Sequence, residues 1–435
     1  KKMINFVYKI NKNLNLKKNL FKNKDRNFIL DYQLKKLNEV WKYALNKYTF
    51  YSIYKKKNNL PNDIKSLNEF NNFPIISKND IIKNYEIIFK ESKTNKNTFT
   101  GGTSGPVTRF PTGFIDSKKN FINQAFLREN FKIFPRDKCL YIWGHSHKFS
   151  KNLISKFFKE TTKKLKNFYF RRSQFSAYDL SSENVNKIYD QLVKSQPLYV
   201  LTYASTFASI LNFLNFKNMI YKNKIKIILT SDNLSLTDYE LVKKIFPQSE
   251  LINEFGMAET GVIGYNKENE FYKIKTLWDS FLVQSKEKNL ILSDLEKRVF
   301  PLIRYTPDDL IDANDDISIF EFKVAGKNRP PFEIQFKNED KKISSIIFDH
   351  IYKFDKFIRS SQYYWNKDKK KLAIFFTCDF EVKKSYLTDK LISYFGSMPE
   401  NIDIFIINDS IKTKAGKFIY HLKDEDLVKN RINLS

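Results

Sequence analysis

Between residues 140 and 255, short apolar runs of strand length alternate with amphipathic stretches of helical period, and this restricts the chain to few folds. The runs are Leu140 to Trp143, Leu198 to Leu201, Ile225 to Leu229 and Leu251 to Phe255. Ser181 to Ser195 sets Val185, Ile188, Tyr189, Leu192 and Val193 at helical spacing, with Ser181 as N-cap and Pro197 closing the helix. Asn233 to Pro247 does the same with Leu241, Val242, Ile245 and Phe246, and Thr237 and Glu240 have capping-box spacing. Strands that alternate with helices pair in a mainly parallel sheet covered on both faces. The expected class is α/β, with ligands bound at loops beyond the carboxyl ends of strands.

The flanks extend this plan. Residues 1–95 read as mostly helical, from the spacing of Leu30, Leu34, Leu37, Val40 and Trp41, punctuated by Pro61 and Pro74. Leu290 to Leu292 and Pro301 to Tyr305 read as further short strands. The segment around Gly326 to Pro331 (A-G-K-N-R-P-P) reads as a linker. Beyond it come strands at Phe332 to Phe336, Leu372 to Thr377 and Ile402 to Ile407, with helices at Ile343 to Tyr352 and near Lys383 to Phe395. The expectation is a large N-terminal domain, 1–325, with mainly parallel sheets flanked by helices, and a small α+β C-terminal domain, 326–435.

Composition narrows the class of function. The formal charge of +28 suits a nucleic-acid or anionic-membrane binder, but lysine is spread through every segment, as in a Lys- and Asn-rich coding bias. The denser run Lys17, Lys18, Lys22, Lys24 and Arg26 reads as a solvated helix face or arm. Cys139 and Cys378 lie far apart, with no C-x-x-C and no H-E-x-x-H, which argues against structural zinc and a disulfide framework. No apolar run reaches 18 residues, so no transmembrane helix is expected, and cysteine usage suits a reducing cytoplasm.

The chain holds only 11 glycines, and Gly101, Gly102 and Gly105 fall together among Thr100, Thr103 and Ser104. A tract with so little side chain lets backbone N–H groups wrap an anion while hydroxyls add donors, the composition of a phosphate-cradling loop. It fits neither G-x-x-x-x-G-K-[ST] nor G-x-G-x-x-G.

Four further segments follow in order: Thr230-Ser231-Asp232, Asn253-Glu254-Phe255-Gly256-Met257-Ala258-Glu259-Thr260, Pro301 to Leu310 (P-L-I-R-Y-T-P-D-D-L), and Lys414-Ala415-Gly416-Lys417. Their order and spacing resemble the adenylate-forming (acyl-AMP) superfamily over roughly residues 70–420. The phenylacetate–CoA ligase-like branch, which includes capsular-polysaccharide-associated proteins, is the nearest. The resemblance implies ATP held by Thr100, Gly101, Gly102, Thr103, Ser104 and Gly105. It implies Ser231, Asp232, Asn253, Glu254, Phe255, Gly256 and Met257 around the nucleotide, Phe255 facing the adenine. Asp309 would take both ribose hydroxyls, and Glu259 would bind Mg²⁺, a hard cation that prefers carboxylate and phosphate oxygens. Lys417 would be catalytic, bridging the attacking carboxylate and the α-phosphate as charge develops. His145 and Tyr203 are candidates for the acyl pocket or the second step, and Lys327 and Arg329 for a hinge. His147 and the pair Arg171 and Arg172 carry weaker alternatives, a loop histidine and basic surface.

The chain departs from that pattern at Gly101 and Pro106, at Ala258, at Thr306-Pro307-Asp308 before Asp309, and at Lys327. The Glu, Asp and Lys of the chemistry remain. The expected function is ATP- and Mg²⁺-dependent acyl-AMP formation with pyrophosphate release, then acyl transfer to CoA. The alternative is transfer to an amine or hydroxyl in surface-polysaccharide synthesis. An inactive nucleotide-binding homologue and a basic nucleic-acid-binding protein are the readings from other classes, and homodimerisation stays open.

Overall fold

A computed structural model describes residues 2–22, 24–99, 108–143, 167–177, 182–231, 234, 236–267, 270–307, 309–314, 316–327, 332–336, 339–343, 357–366, 368, 371–378, 382–395, 398–408, 410–411, 419 and 421–429. The chain divides into two compact units, one of Lys1–Gly101, Val107–Asp137 and Leu251–Asn328, the other of Gly102–Pro106, Lys138–Glu250 and Arg329–Ser435.

The first unit opens with six helices, α1 (Lys2–Leu20), α2 (Arg26–Lys47), α3 (Thr49–Lys57), α4 (Leu67–Asn71), α5 (Lys78–Lys83) and α6 (Tyr85–Ser92). Helix α2 forms where the spacing placed it: Ile29, Gln33, Leu37, Val40, Trp41 and Ala44 line its buried face, and Asp25 caps it by accepting from Phe28 N at 2.7 Å. Buried Gln33 is satisfied at both ends, donating to Trp278 O at 2.9 Å and accepting from Ser318 Oγ at 2.7 Å. Trp41, Tyr51, Phe70 and Phe73 pack in one core with Leu295, Phe300, Leu302, Ile303 and Tyr305, so the helices are seated on the segment that leads to Asp309. The N-terminal basic run is a solvated face at Lys22, Lys24 and Arg26, which are exposed, but not at Lys17. Lys17 is 6% exposed and reaches both carboxylate oxygens of Asp279 at 2.5 Å, while Lys18 and Arg26 pair with Glu129 and Asp316. An apolar pocket of Phe21 and Phe126 around the ammonium makes pairing with Asp279 the means by which that charge is buried.

Strands β1 (Asn97–Phe99) and β2 (Arg109–Pro111) pair antiparallel and lead into α7 (Phe114–Asn130). Seven strands follow the interlude of the other unit: β7 (Ser249–Met257), β8 (Gly261–Lys267), β9 (Glu270–Thr276), β10 (Phe281–Lys286), β11 (Asn289–Asp294), β12 (Asp309–Asp312) and β13 (Glu321–Lys327). They run in the order β10-β11-β12-β13-β9-β8-β7, antiparallel throughout. The expected predominance of parallel pairing stops here, because turns rather than helices join these strands and antiparallel neighbours need only a turn. Pro301 to Tyr305 is not a strand either. Arg304 has φ 51°, and only Tyr305 bridges, to Ile76 and Leu292.

The second unit carries the parallel sheet, β3 (Cys139–Trp143), β4 (Arg172–Ser176), β5 (Tyr199–Tyr203) and β6 (Ile225–Thr230), in the order β6-β5-β3-β4. Helices Ser182–Ser195, Ala204–Phe216 and Leu236–Ile245 accompany it, burying Val185, Ile188, Leu192, Phe207, Ile210, Leu211 and Val242. Thr237 lies inside the last of these helices instead of capping it.

The unit also holds the hairpin β14 (Phe332–Phe336) and β15 (Glu339–Ile343), and a four-stranded sheet of order β18-β17-β16-β19, made of β16 (Ile358–Asn366), β17 (Lys371–Cys378), β18 (Ile402–Ile406) and β19 (His421–Leu422). Strand β17 is buried on both faces. Leu372, Ile374 and Phe376 meet Leu387, Leu391 and Phe395 of the helix Lys384–Phe395, while Ala373 and Phe375 meet Leu422 and Leu427. The helix expected at Ile343 to Tyr352 lies outside the described residues apart from Ile343, which ends β15. Gly326 and Lys327, read as linker, end β13.

Candidate active site

Within the first unit, three segments converge on Glu259. The turn Ala258 to Thr260 joins β7 to β8. Gly256 permits the close approach of these strands, since a Cβ there would lie 2.5 Å from Gly261 O. Gly261 itself has φ +76°, and Asn120 of α7 accepts from the neighbouring Val262 N at 2.9 Å. The second segment is Arg304 to Pro307, fixed to Ile76 by Ile76 N donating to Arg304 O at 2.8 Å and Thr306 N donating to Ile76 O at 3.0 Å. The third is the start of α5, where Ser77 and Asp80 form a capping box and Lys78 donates to Pro307 O at 2.7 Å.

The side chains of these segments act on one carboxylate. Tyr305 Oη donates to Glu259 Oε1 at 3.1 Å. Burial raises the Glu259 carboxyl above its ordinary pKa; a hydrogen bond from its own backbone, the Lys78 ammonium and the Tyr305 hydroxyl pull it back, and Asp309 pushes it further up. Asp309 opens β12, half-exposed and directly opposite Lys327 of β13. The proposed ribose carboxylate and the proposed hinge residue are thus cross-strand partners. Arg304 is 2% exposed, its guanidinium donating to Asn71 O and Oδ1, Phe73 O and Gln284 Oε1 at 2.8–3.2 Å. All four acceptors are uncharged, and burial lowers its pKa.

The rest of the Asn253–Met257 segment has mixed duties. Asn253 is buried, its N–H donating to Asn266 Oδ1 at 2.9 Å and its amide to Phe271 O at 3.2 Å. Glu254 is buried beside Arg128 and Gln124, both at 3.4 Å. Phe255 and Met257 are half-buried, and Phe255 meets Phe322 edge-on at 5.3 Å. In the second unit, Ser231 follows β6, exposed with φ 81°. Tyr203 ends β5 against Trp143 at 4.3 Å, and Trp143 stacks on Tyr141 at 5.3 Å. Arg172 lies over Tyr141 at 4.6 Å, so an aromatic face holds it, while Arg171 is exposed. Thr100 to Gly105, Pro106, His145, His147, Asp232, Asp308, Arg329 and Lys417 lie outside the described residues. The residues flanking Lys417's segment are described. Buried Gln362 of β16 donates to Ile411 O at 2.7 Å and to Ile419 O, and accepts from Ile411 N at 2.7 Å.

Sequence reasoning passed over Lys78, the Tyr305 hydroxyl and Gln362. The capping box at Ser77 fixes the helix start that carries the first, but in so lysine-rich a chain nothing in the sequence marks that one lysine. Among the described residues, no three His, Cys, Asp or Glu side chains are grouped to hold a metal. A Mg²⁺ that arrives with nucleotide phosphates needs only one or two carboxylates, a requirement that Glu259 fits.

No protein-family model matches the chain. It is 24% identical over 299 residues to Protein CapK of Staphylococcus aureus, a match that covers 67% of this chain and 65% of that protein. Its structure is similar to 2-hydroxyisobutyryl-CoA ligase in the postadenylation state with R3-HIB-AMP, at TM-score 0.64 and 13% identity over 92% of this chain and 90% of that one. It is also similar to O-succinylbenzoate coenzyme A synthetase from Bacillus subtilis in complex with AMP, at TM-score 0.51 and 13% identity over 74% and 67% of the two chains. The chain has the α/β fold of adenylate-forming ligases.

Proposed function

We propose that a chain with this fold activates a carboxylic acid with ATP and passes the acyl group to CoA. The observation that carries the reading is the convergence of Glu259, Tyr305, Lys78 and Asp309, which the order of motifs does not by itself require. In the first step a carboxylate oxygen attacks the α-phosphorus, the bond to the β-phosphate breaks, and pyrophosphate leaves. Glu259 would hold Mg²⁺, which when bound offsets phosphate charge, and Tyr305 orients that carboxylate. Asp309 would accept from the ribose hydroxyls, Phe255 would face the adenine, and Thr100 to Gly105 would cradle the β- and γ-phosphates. Lys417 would stabilise the charge that develops between the two anions. In the second step the CoA sulfur attacks the acyl carbon, its proton leaves, and AMP departs. The small domain, 326–435, would turn about Lys327 and Arg329 between steps, with Tyr203 and His145 at the acyl side. The expected location is the cytoplasm; no described helix is long and apolar enough to cross a membrane.

The resemblance of the motifs to the capsular-polysaccharide-associated branch implies a second acceptor, an amine or hydroxyl in surface-polysaccharide synthesis. Pyrophosphate exchange that depends on an added carboxylic acid tests the first step. Lys417→Ala should lower it about a hundredfold or more. No exchange with any acid in a broad panel, with ATP still bound, would instead mark an inactive homologue. A CoA requirement for AMP release separates the two acceptors.

A further inference from the structure

Arg298 is 6% exposed and is used by none of the roles above. Its guanidinium donates to Thr260 O at 2.7 Å and to Glu259 O at 3.2 Å, so it grips the backbone of the turn that carries Glu259. On its other sides it faces two carboxylates, Asp116 at 3.4 Å from Nε and Asp294 at 3.3 Å from Nη1.

Each carboxylate reaches a different motif. Asp116 Oδ2 accepts from Gly113 N at 2.8 Å, just past β2, and Thr112 N donates to Lys96 O at 3.0 Å across the stem of the glycine-rich hairpin. Asp116 Oδ1 also accepts from Val299 N at 3.1 Å. Asp294 Oδ2 accepts from Leu302 N at 2.7 Å, and Asp294 N donates to Leu302 O at 2.7 Å, three residues before Tyr305. Hairpin stem, Glu259 turn and the Leu302 segment that leads to Asp309 therefore hang on one side chain. Only a planar fork with several fixed donors meets two carbonyls and two carboxylates at once; a lysine ammonium cannot.

We propose that Arg298 is a positioning residue that sets the hairpin stem, the Glu259 turn and the Asp309 segment relative to one another for Mg²⁺–ATP binding. The proposal rests on the adenylation reading. It says that Arg298 acts through Glu259, as the outer partners of metal ligands do.

ATP binding measured by calorimetry on the full chain, with and without Mg²⁺, tests it. Arg298→Lys keeps the charge and should weaken ATP binding about tenfold in Mg²⁺, with a smaller loss without the metal. In a Glu259→Gln background the same change should cost much less, because the two sites act as one unit. If Arg298→Lys does not fold, Asp116→Asn, which removes one anchor of the guanidinium, takes its place under the same criteria. Unchanged affinity in a variant with wild-type circular dichroism overturns the proposal, as does an equal loss in both backgrounds. A wild-type chain that binds no ATP overturns the adenylation reading itself and the proposal with it.

Discussion

The antiparallel strands of residues 249–327 and the parallel strands of residues 139–230 bury polar groups in opposite ways. The first region takes whole charges inside, among them Arg298, Arg304 and Asp294, and satisfies each with named partners. Among its described residues, the second buries almost only hydrocarbon. Its one fully buried strand hydroxyl, Thr202 of β5, has no hydrogen-bond partner. Buried charge is costly unless geometry is fixed around it, so a region that carries it gains definition at the expense of tolerance. Trp143, Tyr203 and Ser231 stand at the carboxyl ends of β3, β5 and β6.

The sharpest test of this contrast is Arg304→Met. It removes the guanidinium from Asn71, Phe73 and Gln284, leaves buried acceptors empty, and should cost roughly 3 kcal/mol in urea unfolding. A loss below about 1 kcal/mol, the range of an ordinary hydrogen bond, would break the contrast. Asp294 should give a smaller, pH-dependent effect. Burial chiefly raises its pKa from 3.8 to about 6, against the pull of Arg298. A folded-state pKa above the unfolded value means that the native chain binds the extra proton, so this carboxyl's contribution to stability falls as pH rises from about 4 to about 6. Asp294→Asn should flatten that part of the stability profile, measured by unfolding at several pH values. Thr202→Val should do least, neutral or up to about 1 kcal/mol stabilising, because it removes a hydroxyl that nothing satisfies. Clear destabilisation there would show that the parallel sheet uses the hydroxyl after all.

Much of this was legible before any coordinate. The helical period of α2, the parallel strands β3, β5 and β6 and the helix Ser182–Ser195 follow from apolar spacing, whereas β4, R-S-Q-F-S and half-buried throughout, carries no such pattern and was not foreseen. The antiparallel run was harder. β8, β9 and β13 alternate polar and apolar residues weakly, and Pro301 to Tyr305 looks extended by composition although Arg304 takes a left-handed turn. The motif order pointed to Glu259 and Asp309 through local residue type. It missed Lys78, Arg298 and Gln362, since their significance lies in contacts with residues up to 229 positions away, such as Lys78 with Pro307. No local pattern encodes such a contact in a chain with 76 Lys and Arg.

The Gln362 bridge between Ile411 and Ile419 sets a limit on reach. Lys417 is two residues from Ile419, and two residues of fully extended chain span at most about 7 Å. By chain length alone, that radius limits the distance between the Cα atoms of Lys417 and Ile419. Gln362 thus ties Ile411 and Ile419, the two described ends of that segment, to one strand, and its loss would release both at once.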